Sequence, residues 1–278
     1  MLRAAGKAVC PGFVNIHSHD DLYIIRPDYE DVFEPYLRQG ITTTVISNCG
    51  WSPSPWIGER NGGLLHSALS TLGVSGKLEP QWETQADFHH YLEARPLPVN
   101  LMPLAAHGPI RIAAMGEESR FSTRRELEEM KNLIRVAMEA GCRGFSTGLT
   151  YFPGVYAHTD EIVELAGVVA EYGGRYVTHV RGHCSTYDRA VEEEGSVTFL
   201  FGMTPRRWSE KVFTLIQDHS QLFVGSDTLW PEAGDPPSSG YVCFSRILGY
   251  YVRELCLVYP GGGDMAVRRP LRFPLRPG

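Results

Sequence analysis

Lysine is scarce in this sequence: it occurs only at positions 7, 77, 131 and 211, and the rest of the 26 basic residues are arginine. Positive charge is not in excess either. The formal net charge is −6, which removes the electrostatic reason to expect nucleic acid as a partner. No apolar run approaches the roughly 18 residues of a bilayer span, so no membrane insertion is expected. The first residues, Met1 to Lys7, lack the apolar core of a signal peptide. Six cysteines (10, 49, 142, 184, 243 and 256) are scattered without a C-x-x-C pair. That pattern excludes a dense disulfide framework and predicts reduced thiols in a cytoplasmic protein. No G-x-G-x-x-G follows the first predicted strand, which argues against a dinucleotide-binding fold. What is present is a globular composition: 43% hydrophobic residues in a chain long enough to bury a sizeable core.

The chain is organised around Phe13-Val14-Asn15-Ile16-His17-Ser18-His19-Asp20, entered through the turn Pro11-Gly12. Alternation along a strand puts His17 and His19 on one face, about 7 Å apart. Two such imidazoles can hold one metal ion, and imidazole is a good zinc ligand. The alternative, open for any H-x-H, is a strand with two half-buried histidines that only form hydrogen bonds. The apolar lead-in and the acids Asp20 and Asp21 at the exit point to a strand that ends at a polar cavity.

Downstream, strands and helices alternate. Asp31 to Gln39 predicts a short helix interrupted by Pro35 and stopped at Gly40, and β-branched Ile41 to Asn48 predicts a strand ending at Cys49-Gly50. Residues 51–80, rich in Gly, Ser, Pro and Trp, predict a long surface loop. Phe88, Tyr91 and Leu92 mark a short helix, and Asn100 to Ala106 a third strand with His107-Gly108 at its end. The clearest helix runs from Thr123 to Ala140, with a Thr123/Glu126 capping box and the apolar stripe Leu127, Met130, Ile134 and Ala137. Gly144 to Leu149 is a fourth strand. A helix with Ile162, Leu165, Val169 and Tyr172 inward follows it, then a fifth strand, Arg175 to His179. Further on come a helix over 188–194, a strand from Val197 to Phe201, a helix from Trp208 to Ile216 and a strand from Leu222 to Asp227. Parallel βα units with polar residues at the strand ends predict a (β/α)8 barrel, whose chemistry sits at the carboxyl face of its strands. Seven strands can be counted where a closed barrel needs eight. Residues 1–258 read as this partial barrel. The stretch 259–278, rich in Arg, Pro and Gly, reads as an irregular basic tail with no packed element.

Cys49, His179 and Asp227 fall on three different strand ends. Each alone has a plain explanation, as a buried thiol, a hydrogen-bonded histidine or a helix cap. Together with the H-x-H they carry a resemblance. Pro11-Gly12-Phe13-Val14-Asn15-Ile16-His17-Ser18-His19-Asp20-Asp21 resembles the opening barrel strand of the amidohydrolase superfamily. Gln39-Gly40-Ile41-Thr42-Thr43-Thr44 through Asn48-Cys49-Gly50 is similar to the D-aminoacylase (N-acyl-D-amino-acid deacylase) family. Phe145 to Tyr151 with Pro153-Gly154, Thr178-His179-Val180-Arg181 and Gly225-Ser226-Asp227 continue in that family's order, so that the likeness covers roughly residues 7–255.

The resemblance implies a metal site of His17, His19, Cys49, His179 and Asp227, with zinc as the cofactor. It makes Asp227 the catalytic acid–base and Tyr151 a substrate-orienting residue. The implied activity is hydrolysis of the amide bond of N-acyl-D-amino acids, so that the partner is a small-molecule N-acyl amino acid. Cyclic amidohydrolases of the hydantoin or dihydropyrimidine type are a further option, but they bridge two metals with a carboxylated lysine. None of the four lysines here lies at a strand end. Two departures from the family pattern stand out. No strand with a second zinc histidine follows His179 at the distance of one βα unit, and no Arg occurs between Asp227 and Arg246. The expected fold is therefore an incomplete amidohydrolase-type barrel lacking its sixth βα unit and most of the flanking β-sandwich. A catalytically inactive truncated remnant of such a hydrolase is the alternative.

Overall fold

A computed structural model describes residues 9–26, 29–57, 62–63, 65–66, 70, 80–181, 258–261 and 264–267. Strands β1 (Phe13–Asn15), β2 (Ile41–Ile46) and β3 (Asn100–Pro103) form one parallel sheet in that order. Strands β4 (Ala105–Ala106), β5 (Gly144–Gly148) and β6 (Arg175–His179) form a second, also parallel and in chain order. Only Leu104 separates β3 from β4, and its N–H donates to the Ile46 carbonyl at 3.2 Å. The predicted third strand thus exists as one run that pairs β2 with its first part and β5 with its second.

A doubly wound sheet reverses strand order at a switch point, whereas a barrel wall keeps it. The order here never reverses, so the described residues form an incomplete α/β barrel. The segments predicted as helix 188–194, strand Val197 to Phe201, helix Trp208 to Ile216 and strand Leu222 to Asp227 lie outside the described residues. In the tail, where no element was expected, β7 (Val258–Gly261) pairs antiparallel with β8 (Asp264–Val267). The register runs from Val258↔Val267 to Gly261↔Asp264. No helix among the described residues is long and apolar enough to cross a membrane.

The helices pack on the outer faces of the strands. They are α1 (Asp21–Ile24), α2 (Glu30–Arg38), α3 (Gln85–Glu93), α4 (His107–Met115), α5 (Arg124–Glu139) and α6 (Thr159–Glu171). Capping boxes start α3 and α5: the Thr84 and Thr123 side chains accept from the backbone N–H of Asp87 and Glu126, whose carboxylates accept in return. The α5 stripe Leu127, Met130, Ile134 and Ala137 is buried against Phe145 and Leu165, as its spacing predicts. On α6 Tyr172 is not inward; it caps the helix, 41% exposed, and its hydroxyl donates to Glu139.

Three further readings change. Pro35 lies inside α2 instead of interrupting it, because burial of Phe33 and Tyr36 outweighs one lost backbone hydrogen bond. The stretch 51–80 is not a plain surface loop: Trp51 to Pro55 and Leu65 are buried, and residues 62–63, 65–66 and 70 are helical. Helix α4 was not foreseen. All nine of its residues are buried, and a helix covered on every side shows no polar stripe for periodicity to find.

Candidate metal centre

Regular pairing of β1 stops at Asn15, before the two histidines, and α1 starts at Asp21. The expected strand to Asp20 is therefore too long, and strict alternation does not place His17 and His19. The residue between them does. The Ser18 hydroxyl donates to the Val45 carbonyl at 2.9 Å and lies 2.8 Å from Thr44 Oγ1, while Asn48 Nδ2 donates to the Ser18 carbonyl at 3.2 Å. Held against β2 in this way, His17 and His19 are both buried, with ring centroids 5.6 Å apart.

The acids that follow lie behind the site. Asp20 accepts from Thr44 Oγ1 at 2.8 Å and from the Tyr36 hydroxyl at 3.0 Å. Burial raises its pKa, opposed by these bonds, by Ser18 and by the charge of His19. Asp21 accepts from the Ser47 hydroxyl at 2.9 Å, and burial pushes it up to about 6 against the charge of His19 and the Ser47 bond.

Beyond β2 the backbone turns sharply. Ser47 (φ 65°), Cys49 (φ 52°) and Gly50 (φ 70°) are all left-handed, a conformation that costs non-glycine residues of order 1–2 kcal/mol and gathers at functional sites. Neighbouring strands over-determine the turn. Gly50 N–H donates to Ser146 Oγ at 3.1 Å, Gly108 N–H to the Gly50 carbonyl at 2.8 Å, the Ser146 hydroxyl to the Ser47 carbonyl and the Tyr151 hydroxyl to the Cys49 carbonyl. The result aims Cys49 Sγ at His17 Nε2, 3.3 Å away. Burial alone pushes the thiol up, but the charge of His17 and hydrogen bonds with His17, His179 and His19 outweigh it, holding Cys49 well below its ordinary value.

His179 ends β6 and reaches the same sulfur, and its ring meets the edge of Tyr151 at 5.4 Å. Tyr151 also stacks on Trp51, centroids 6.0 Å apart, in an apolar wall with Leu22, Tyr23, Leu65 and Ile112. Of the residues expected at the site, the structure brings together His17, His19, Cys49 and His179, with Tyr151 alongside; Asp227 lies outside the described residues.

A metal fits this donor set. One ligand atom from each of His17, His19 and Cys49 lies within 4.8 Å of the others. Zinc bonds of about 2.3 Å to sulfur and about 2.0–2.1 Å to nitrogen span at most about 4.4 Å, so closing on one ion draws these donors in by less than about 1 Å. Two imidazoles and a thiolate favour zinc over magnesium or calcium. Lys131, the described lysine, pairs with Glu128 and Glu164 on the outer helices, far from a bridging position.

His107 behaves differently from its neighbours at the strand ends. It opens α4 and turns its Nε2 to Glu161 Oε1 at 2.9 Å, where Arg111 Nε also donates at 3.0 Å. No local pattern announces this cluster, because Glu161 is 54 residues from His107 and 50 from Arg111, and the burial of α4 hides that helix from periodicity.

A barrel wall whose strand ends bring histidines and a cysteine to one buried point is a scaffold with a candidate metal site. The comparisons with known proteins are more specific. No protein-family model matches the chain. Over 238 residues it is 34% identical to the N-acyl-D-glutamate deacylase of Alcaligenes xylosoxydans xylosoxydans, covering 81% of this chain and 46% of that enzyme. Over 193 residues it is 35% identical to the D-aminoacylase of the same organism, covering 68% and 37%. The crystal structure of the Bordetella bronchiseptica N-acyl-D-glutamate deacylase, complexed with zinc and a phosphonate inhibitor, superposes with a TM-score of 0.71 at 25% identity over 88% of this chain and 70% of that one. A crystal structure of D-aminoacylase gives 0.62 at 27% identity over 77% and 46%. In sequence and in fold the chain is homologous to the D-aminoacylase (N-acyl-D-amino-acid deacylase) family of the amidohydrolase superfamily. It spans less than half the length of the two Alcaligenes enzymes.

Proposed function

We propose that the protein hydrolyses the amide bond of N-acyl-D-amino acids, releasing the D-amino acid and a carboxylate, with zinc held by His17, His19, Cys49, His179 and Asp227. The observation that supports this most is the 3.3 Å approach of Cys49 Sγ to His17 Nε2 in a buried point shared with His19 and His179. When bound, zinc supplies Lewis acidity toward the amide carbonyl and a water that is nucleophilic near neutral pH.

The chain's own residues supply the rest. Ser18 and the left-handed turn at Cys49 hold three ligands in place before any substrate arrives. The wall of Trp51, Tyr23 and Leu65 keeps bulk water from one side of the site. Tyr151 faces His179 and orients the substrate, and Asp227 takes the proton of the attacking water and returns it to the leaving amine.

Metal analysis of the purified protein, paired with hydrolysis of N-acetyl-D-methionine against its L-isomer, tests the reading. Stoichiometric zinc with D-selective turnover is the expected result. Folded protein that holds no zinc overturns it, and zinc without turnover of either isomer reduces it to a metal-binding scaffold.

A further inference from the structure

The described residues contain a second polar centre as deeply buried as the metal-site candidate. Glu161 Oε1 accepts from His107 Nε2 at 2.9 Å and from Arg111 Nε at 3.0 Å, and Glu161 Oε2 accepts from the Ser122 hydroxyl at 2.7 Å. The side chains of His107, Arg111 and Glu161 are 1%, 0% and 2% exposed. A buried ion pair is poor value as a source of stability, since desolvating both charges offsets most of their attraction. Its distinctive contribution is geometry, and here the geometry leads to one segment.

That segment is the loop between β5 and α6, which carries Tyr151. Arg111 Nη2 leaves the ion pair and donates to the Tyr156 carbonyl at 3.3 Å as well as to the Arg120 carbonyl at 2.7 Å. The other nitrogen of His107, Nδ1, lies under Gly154, 3.6 Å from where a Cβ on that residue would stand. Gly154 itself rests on the Gly148 carbonyl so closely that the same Cβ would come within 2.1 Å of it. On the far side Arg181 Nη2, two residues past His179, donates to the Ala157 carbonyl at 3.0 Å. The loop is therefore pinned at Gly154, Tyr156 and Ala157, and its free arm ends at the Tyr151 hydroxyl on the Cys49 carbonyl.

We propose that His107, Arg111 and Glu161 are positioning residues that fix the 151–157 loop and so set Tyr151 against the Cys49/His179 site. This rests on the proposed hydrolase reading for its effect on turnover, but not for its effect on the loop. Among the described residues, the cluster's hydrogen bonds reach none of the proposed ligands. A change in it should leave zinc in place and act through Tyr151 alone.

The test uses the full chain in two variants. Arg111→Met combined with Glu161→Gln removes both charges, so that neither is left buried and alone. Arg111→Lys keeps the charge opposite Glu161 but loses the forked reach to the Tyr156 carbonyl. Amide hydrogen exchange of residues 151–158 is the first readout, with α3 as the internal reference. Exchange at Val155, Tyr156 and Ala157 should accelerate by about tenfold or more, as in a local opening, with α3 unchanged.

The second readout is kcat/KM for the D-substrate in a cycle with Tyr151→Phe. A loss of about 100-fold is expected with Tyr151 present, the scale set by a misplaced positioning group. In the Tyr151→Phe background the same changes should cost little, because the residue they act through has already lost its hydroxyl. Zinc content should match the parent throughout. Unaltered loop exchange in both variants overturns the proposal, as do losses that multiply independently of Tyr151. If the parent protein has no turnover, the hydrolase reading fails on that measurement, while loop exchange still decides this one.

Discussion

Replacing Gly148 with alanine tests the packing that brings the strand ends together. A Cβ at this position would stand 2.2 Å from the Tyr151 hydroxyl and 2.3 Å from the Cys49 carbonyl, about 1 Å inside an ordinary contact. The tyrosine can swing away, since its hydroxyl is the far end of a side chain. The carbonyl cannot, because it belongs to the left-handed turn that Ser146 and Gly108 tie down. Nor can β5 retreat, with Gly148 paired to His179 on β6. Overpacking of this kind costs about 1–3 kcal/mol, and losing the Tyr151–Cys49 hydrogen bond adds about 1 kcal/mol. The expected total is about 2–4 kcal/mol, a large share of the roughly 5–15 kcal/mol that holds a typical domain. In urea unfolding that is a midpoint lower by about 1–2 M at unchanged slope. Gly167→Ala on the exposed face of α6 is the matched control: no heavy atom lies within 4 Å of its Cβ position. There alanine should stabilise by about 0.5–1 kcal/mol. If Gly148→Ala unfolds within error of the parent protein while Gly167→Ala behaves as expected, the approach of Tyr151 to the Cys49 carbonyl is wrong.

Three further outcomes are expected. Cys49→Ser should weaken zinc binding by at least about tenfold in a chelator competition, and unchanged affinity would remove the thiolate from the ligand set. Burial opposes ionisation of Glu161, but the His107 hydrogen bond and the charges of His107 and Arg111 outweigh it and hold the carboxyl at about 2. Because the folded value lies below the unfolded one, the pH-dependent part of stability, about 3 kcal/mol for the ionised over the protonated Glu161 carboxyl, is complete above the ordinary carboxylate range and disappears as pH falls toward 2. Urea midpoints taken from pH 5 downward should therefore fall more steeply for the parent than for Glu161→Gln; parallel curves count against the buried pair. Thr123→Ala removes the cap of α5 and should cost about 1 kcal/mol, read as a thermal midpoint lower by about 2–4 °C.

What the sequence determined by itself was the alternation of strands and amphipathic helices, the α5 stripe with its capping box, and the chemical types placed at strand ends. Those are local properties, written in spacings of two to four residues, and a motif such as His17-Ser18-His19 or Asn48-Cys49-Gly50 carries its likeness to a family intact. Convergence is not local. That His17, Cys49 and His179 share one buried point depends on the register of β1, β2, β5 and β6 and on a left-handed turn at Cys49 that no propensity favours. His107 shows the same limit from the other side. By position it belonged with the strand-end polar residues, yet a carboxylate 54 residues away, which Arg111 of the same all-buried helix also holds, captured it for a second centre. Only the packed structure decides such competitions, because buried polar groups take the partners that geometry offers and not the ones that lie nearest in sequence.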